Sequence, residues 1–213
     1  MNFENSRVMG GVGAILLFVS FVPYTYGLLG LVGAILVIVA MKGFADYYRE
    51  AGIFNNTLYS VALAIVGVVA FVAILFLALV DFLSALGITI GLNTYADIMS
   101  KFSSLDLSLY TNTILKFAGF VFLDVVVLFV FALVSVLLLR KSLNLISAKT
   151  GVHLFATTGT VLLIGAVLTI IAFGLILVWI SALLLAIAFF QIKPPPPSTA
   201  YSQPPMQTNP PPI

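Results

Sequence analysis

Polar and charged positions interrupt this chain so seldom that the lengths of its apolar stretches set the first expectations. Val8 to Met41 carries no charged residue. A single helix over that stretch would measure about 50 Å, whereas ~20 residues cross the ~30 Å hydrocarbon core of a bilayer. The stretch therefore predicts a helical hairpin with arms over residues 8–22 and 27–42. Its break falls at Val22-Pro23-Tyr24-Thr25-Tyr26-Gly27, where proline withdraws a donor, glycine permits a turn and the tyrosines suit the headgroup level. Long spans follow over Thr57 to about Ala85 and over Asn112 to Leu139, each exceeding one bilayer thickness and so expected to tilt. Leu154 to Ile192 is again about two crossings long and predicts a second hairpin, turning near Ala172-Phe173-Gly174. The expected fold is an all-α polytopic transmembrane bundle over residues 1–193, with about six spans: two short hairpins flanking two long helices. Four full spans with two re-entrant elements is the alternative count.

After Lys193 the pattern changes to PPPPSTAYSQPPMQTNPPPI, which holds nine of the ten prolines. Residues 194–213 lack the apolar content to bury a core and are expected to form a disordered cytoplasmic tail biased to polyproline II. Such a tail serves as a tether or docks a proline-recognising cytoplasmic partner.

Composition narrows the classes. At 62% hydrophobic and 8% charged, with no cysteine, the chain departs from soluble domains, of which about a quarter of residues are charged. Lys and Arg number 9 against 7 Asp and Glu, a net charge of +2 too scattered for a nucleic-acid footprint. Without cysteine there is no disulfide framework, thiol chemistry or iron–sulfur ligation, and a single His builds no ordinary zinc or two-ligand haem site, so no cofactor is expected. A secretory signal over the first hairpin arm is disfavoured, because Glu4 accompanies Arg7, no A-x-A-like site follows and apolar sequence resumes at Gly27. Orientation follows from basic residues at span ends. With both termini cytoplasmic, Arg7, Lys42, Arg49, Arg140, Lys141, Lys149 and Lys193 lie inside, leaving Lys101 and Lys116 outside.

Residues 43–50 and 140–149 mix apolar and charged positions, as helices lying along the inner leaflet do. Gly52 and Gly151 would end those segments, and Asn56, Thr57, Thr157 or Thr158 would cap the next spans. Arg140, Lys141 and Lys149 are candidate lipid-headgroup contacts, with ordinary positive-inside anchoring as the alternative. In the outer loop, Tyr95, Ile98, Met99, Phe102 and Leu105 share a helical face, predicting a lid or an interfacial helix.

Within the spans, small residues and charges carry the information. Gly10, Ala14, Gly27, Gly30 and Ala34 make a candidate helix-packing face, used within the chain or for a homo-oligomer. The runs Gly13-Ala-Ile-Leu-Leu and Gly159-Thr-Val-Leu-Leu, each followed by a Gly-Leu pair at Gly27 or Gly174, hint that the hairpins are parallel repeats. Asp124 lies about twelve residues into the fourth span among apolar neighbours. Burying it ionised is costly, so it must be neutralised, paired or turned to a wet cavity, and it is a candidate intramembrane polar site. Asp81 and Lys116 sit at matching depths near the outer ends of adjoining spans and are expected to pair. His153 is expected at the membrane interface. No H-E-x-x-H, G-x-S-x-G, P-loop or dinucleotide-binding pattern is present, and Ser135 and Ser181 have no nearby His, so enzyme activity is disfavoured.

The run Ser6-Arg7-Val8-Met9-Gly10-Gly11-Val12-Gly13-Ala14-Ile15-Leu16-Leu17, the turn Ser20-Phe21-Val22-Pro23 and Gly52-Ile53-Phe54-Asn55-Asn56 resemble an archaeal family of multi-pass integral membrane proteins classified as a domain of unknown function. Leu163-Ile164-Gly165-Ala166-Val167-Leu168 and Ile187-Ala188-Phe189-Phe190, before the proline-rich tail, are similar to the other end of that family. The resemblance implies an archaeal cell-membrane location and transfers no activity. The expected role is a non-catalytic membrane scaffold or accessory subunit, in contact with the bilayer and with a partner of a membrane complex. The competing role is a small-solute, ion or proton transporter or channel using Asp124.

Overall fold

The computed structural model describes residues 2–21, 27–88, 99–100, 103, 107–169 and 173–193. The expected tail, most of the outer amphipathic helix and the tips of both hairpins lie outside the described residues. Six α-helices occur among those described: α1 (Phe3–Val19), α2 (Leu28–Tyr48), α3 (Ala51–Ala85), α4 (Thr111–Thr150), α5 (Leu154–Leu168) and α6 (Gly174–Gln191). The short 3-10 turn Leu107–Tyr110 leads into α4.

Two expectations need correction. Residues 43–48 and 140–149 are not separate surface helices but unbroken continuations of α2 and α4. Between Arg140 and Lys149 there is neither Gly nor Pro to break the ladder, and long basic side chains reach the interface without the helix bending there. Gly52 lies inside the first turn of α3 rather than ending a preceding helix. Asn56 and Thr57 accordingly bond back to the carbonyls of Gly52 and Ile53 at 2.7 and 2.9 Å instead of capping. The chain reverses between α2 and α3 at Arg49, with φ at 51°, and α4 ends at Gly151, with φ at 71°.

Each helix packs on its chain neighbours, and α6 returns to α1, so the six close into a ring. The ring is antiparallel throughout the two short hairpins. Phe3 meets Phe44 near the chain start and Gly30 faces Ser20 at the far end of the first hairpin. Phe155 meets Phe189 and Gly165 meets Leu177 in the second. Between the hairpins, Gly10 admits the ring of Phe189, and Trp179 donates its indole N–H to the Phe18 carbonyl at 3.0 Å while stacking on the Phe18 ring.

The core sits at one end of this ring. Phe3, Ala14, Met41, Phe44, Ile53, Leu143, Ile146, Phe155, Ala188 and Phe189 are all buried, and all but Ala14, which lies further along α1, come from the starts of α1, α3 and α5 and the closing turns of α2, α4 and α6. At the opposite end, α3 and α4 continue as a bare pair. No residue of α3 between Val68 and Ala85 is buried, nor any of α4 between Thr111 and Leu123. Only 11% of the most apolar window of α3, and the same share in α4, is buried, which leaves a large apolar surface open. The arm ends in a Schellman motif: Ile88 N–H bonds the Leu83 carbonyl at 2.9 Å across Gly87, whose φ is 73°.

Four of the helices, α2, α3, α4 and α6, are long and apolar enough to cross a membrane. With 17 and 15 residues, α1 and α5 span only about 25 and 22 Å.

Close backbone approach holds the first hairpin. A Cβ added at Gly13 would lie 2.8 Å from the Gly33 carbonyl oxygen, and nothing lies within 4 Å of such an atom at Gly119. Gly13→Ala is expected to lower stability by about 1–3 kcal/mol through overpacking. Gly119→Ala should cost nothing and gain up to about 1 kcal/mol from reduced backbone entropy. Thermal unfolding of the two variants in detergent, followed by circular dichroism, checks the contrast; equal shifts would contradict the crossing.

Candidate functional site

The polar side chains inside the apolar helices fall into distinct places. Along the α3–α4 seam, hydroxyls pair across the interface. Ser142 donates across the interface to the Ile53 carbonyl at 2.5 Å, which Thr57 also approaches, and the two hydroxyl oxygens are 2.8 Å apart. Toward the arm, Ser60 and Ser135 are 3.1 Å apart, with Ser135 donating to the Ser60 carbonyl at 2.9 Å. Thr57 and Ser60 are one turn apart on α3, and Ser135 and Ser142 two turns apart on α4, which sets all four on facing stripes. Further along, the ring of Phe131 packs where a Cβ on Gly67 would stand. These hydroxyls have no base beside them and act as fasteners. The sequence carried their signal as serines and threonines at turn-multiple spacing, which the search for catalytic groups passed over.

Asp124 lies on the same helix and is 1% exposed, with neither carboxylate oxygen hydrogen-bonded among the described residues. It is the first buried residue of α4 met on leaving the arm. Along the helix it stands about 12 Å inward of Lys116 and about 24 Å from Arg140. One turn beyond it, Leu128 joins Ala166 and Thr169 in lining an apolar cleft of about 270 Å³ between α4 and the second hairpin.

Near the end of the arm, Lys116 donates to Asp81 at 3.2 Å, with both side chains more than half exposed. The Lys116 ammonium also lies 5.8 Å from the centre of the Phe120 ring, and Phe82 stacks on Phe117 at 4.6 Å. The structure brings this pair together and keeps Asp124 apart from it.

The remaining described charges gather at the core end. Glu4 pairs with Arg7, Asp46 with Lys42 and Glu50 with Lys149, at 3.2, 3.2 and 3.3 Å. Lys149 is therefore already neutralised, whereas Arg140 and Lys141 have no acidic partner among the described residues and line one shallow groove with Asn144. His153 is exposed just ahead of α5.

The small-residue face divides. Gly10 abuts Phe189, Ala14 is wholly buried, Gly30 faces Ser20 and Ala34 is half-buried. Gly27 stands outside the helix in a turn at φ 74°, with nothing within 4 Å of its Cβ position. Within the first hairpin the closest backbone crossing is between Gly13 and Gly33. Nor do the glycines of the internal echo do equivalent work: Gly13 meets α2, whereas Gly159 meets Arg140 of α4.

Together these features define an all-α protein with four helices suited to crossing a membrane and with most of its charge at one end. Residues 29–183 match the sequence model of a family described as Protein of unknown function (DUF996), and the chain belongs to that family. No curated protein and no solved structure matches it.

The Asp81–Lys116 contact is testable. Exchanging the two charges, Asp81→Lys with Lys116→Asp, should restore the stability lost in either single reversal. The coupling expected for so exposed a pair is up to about 1 kcal/mol. Thermal unfolding of all four species in detergent measures it, and strictly additive losses would contradict the pairing.

Proposed function

We propose that this is an archaeal integral protein of the cell membrane, with both termini cytoplasmic, that works as a non-catalytic scaffold or accessory subunit. The observation that carries this reading is the enclosure of Asp124, the deepest charge-bearing side chain of the long pair, at 1% exposure. A permeation path needs its polar groups wet, and here the hydroxyls meet between helices while the acid is buried. The bare α3–α4 arm supplies apolar area for lipid or for the helices of a partner. That neither Asp124 oxygen has a hydrogen-bond partner among the described residues favours a second reading, a proton or cation site in a transporter.

Flux separates the two. Proteoliposomes holding the native chain should show no more proton or cation flux than protein-free vesicles under imposed gradients. Flux that Asp124→Asn abolishes would overturn the scaffold reading. Mild-detergent extraction from native membranes should recover a stoichiometric companion polypeptide; recovery of the chain alone would remove the accessory-subunit role.

The threading has its own measurement, helped by the lack of native cysteine. On intact cells a membrane-impermeant maleimide should label Ser103→Cys directly and Ser198→Cys only after permeabilisation. The opposite pattern would invert the orientation.

A further inference from the structure

Among the described residues of the core end, three acids are each taken by a cation: Glu4 by Arg7, Asp46 by Lys42 and Glu50 by Lys149. Four cations are left without an acidic partner: Arg49, Arg140, Lys141 and Lys193. Of these, Arg140 and Lys141 adjoin and share a groove of about 340 Å³ with Leu137, Asn144 and Leu145. The Asn144 carboxamide is exposed and likewise has no partner among the described residues. Arg140 is held by its stem: its Cγ lies 3.1 Å from the position a Cβ on Gly159 would take, so α5 presses directly on it. Its Nε is buried and makes no hydrogen bond.

A fixed guanidinium, a mobile ammonium and a free carboxamide between two leucines are the donors and walls that a phosphate carrying an apolar chain requires. Arg presents a planar fork matched to phosphate oxygens, and Lys adds a point charge. The groove lies about 36 Å along α4 from Lys116, roughly one bilayer thickness, which sets it at headgroup level. We infer that Arg140, Lys141 and Asn144 bind the phosphate group of an anionic lipid of the cytoplasmic leaflet, with Leu137 and Leu145 against its apolar part. This inference rests on the membrane reading of the chain.

The test is native mass spectrometry of the full chain in detergent, titrated with phosphatidylglycerol and, separately, with phosphatidylcholine of the same acyl chains. The expected result is one saturable phosphatidylglycerol adduct, weakened at least about fivefold by Lys141→Gln and further by Arg140→Gln with Lys141→Gln. The control pair Arg49→Gln with Lys193→Gln removes the same charge and should leave the adduct intact. Equal weakening in both double variants would mean diffuse surface attraction and would overturn the site. Equal binding of phosphatidylcholine would overturn its selectivity for anionic lipid. Displacement of the adduct by millimolar inorganic phosphate would overturn the lipid assignment while keeping the phosphate chemistry; persistence supports the lipid. Lys141 is exposed, so its single variant keeps the test valid even where Arg140→Gln fails to fold. Failure of the membrane reading shows separately, as a chain that stays dispersed in buffer without detergent.

Discussion

Helices in an apolar medium gain little by burying leucine against leucine, because the medium solvates leucine equally well. What holds them is contact that the medium cannot supply, and the α3–α4 seam is built from such contact. Its hydroxyls bond across the interface through Ser142 and Ser135, and Gly67 lets Phe131 sit against the backbone. Each interhelical hydrogen bond in an apolar surround contributes about 0.6–2 kcal/mol. The seam thus joins the two longest helices, and both hairpins lean on it, α2 on α3 and α5 on α4.

The hairpins in turn are fastened to each other at two levels. Near the core, Phe189 fits the hollow at Gly10 and contacts both Phe44 and Phe155, so α1, α2, α5 and α6 meet around one ring. At the far end, Trp179 both stacks on Phe18 and bonds its carbonyl, a contact in which the apolar body and the polar tip of the indole are each used. The result is a base in which every helix has protein neighbours and an arm in which, among the described residues, α3 and α4 lie against each other alone.

The features legible in the sequence are those that obey a length or a sign. Apolar runs divided by membrane thickness gave the hairpin, long pair, hairpin order, and the depth of Asp81 and Lys116 followed from counting residues inward from span ends. Features that depend on a choice of partner were not legible. A small residue specifies that something approaches but not what, so Gly10 reads as part of a hairpin face and in fact receives a ring from the last helix. Residues 140–149 have the same periodicity whether they lie on a surface or continue a helix, and only the packing of Leu143 and Ile146 into the core decides for continuation. Lys149 reads as a free cation because Glu50 is far off in the chain. Asp124 was legible as an oddity; that it is enclosed depends on neighbours that its own segment does not name.

The unequal lengths of the helices have a consequence for the lipids themselves. From Arg140 to Lys116 the long pair offers about 36 Å of apolar flank, whereas α5 measures about 22 Å from end to end. Acyl chains cannot match both without stretching along one side of the protein and compressing along the other, at fractions of a kcal/mol per ångström. Placed in a bilayer, a molecule of these proportions would impose a step in thickness on the lipid around it.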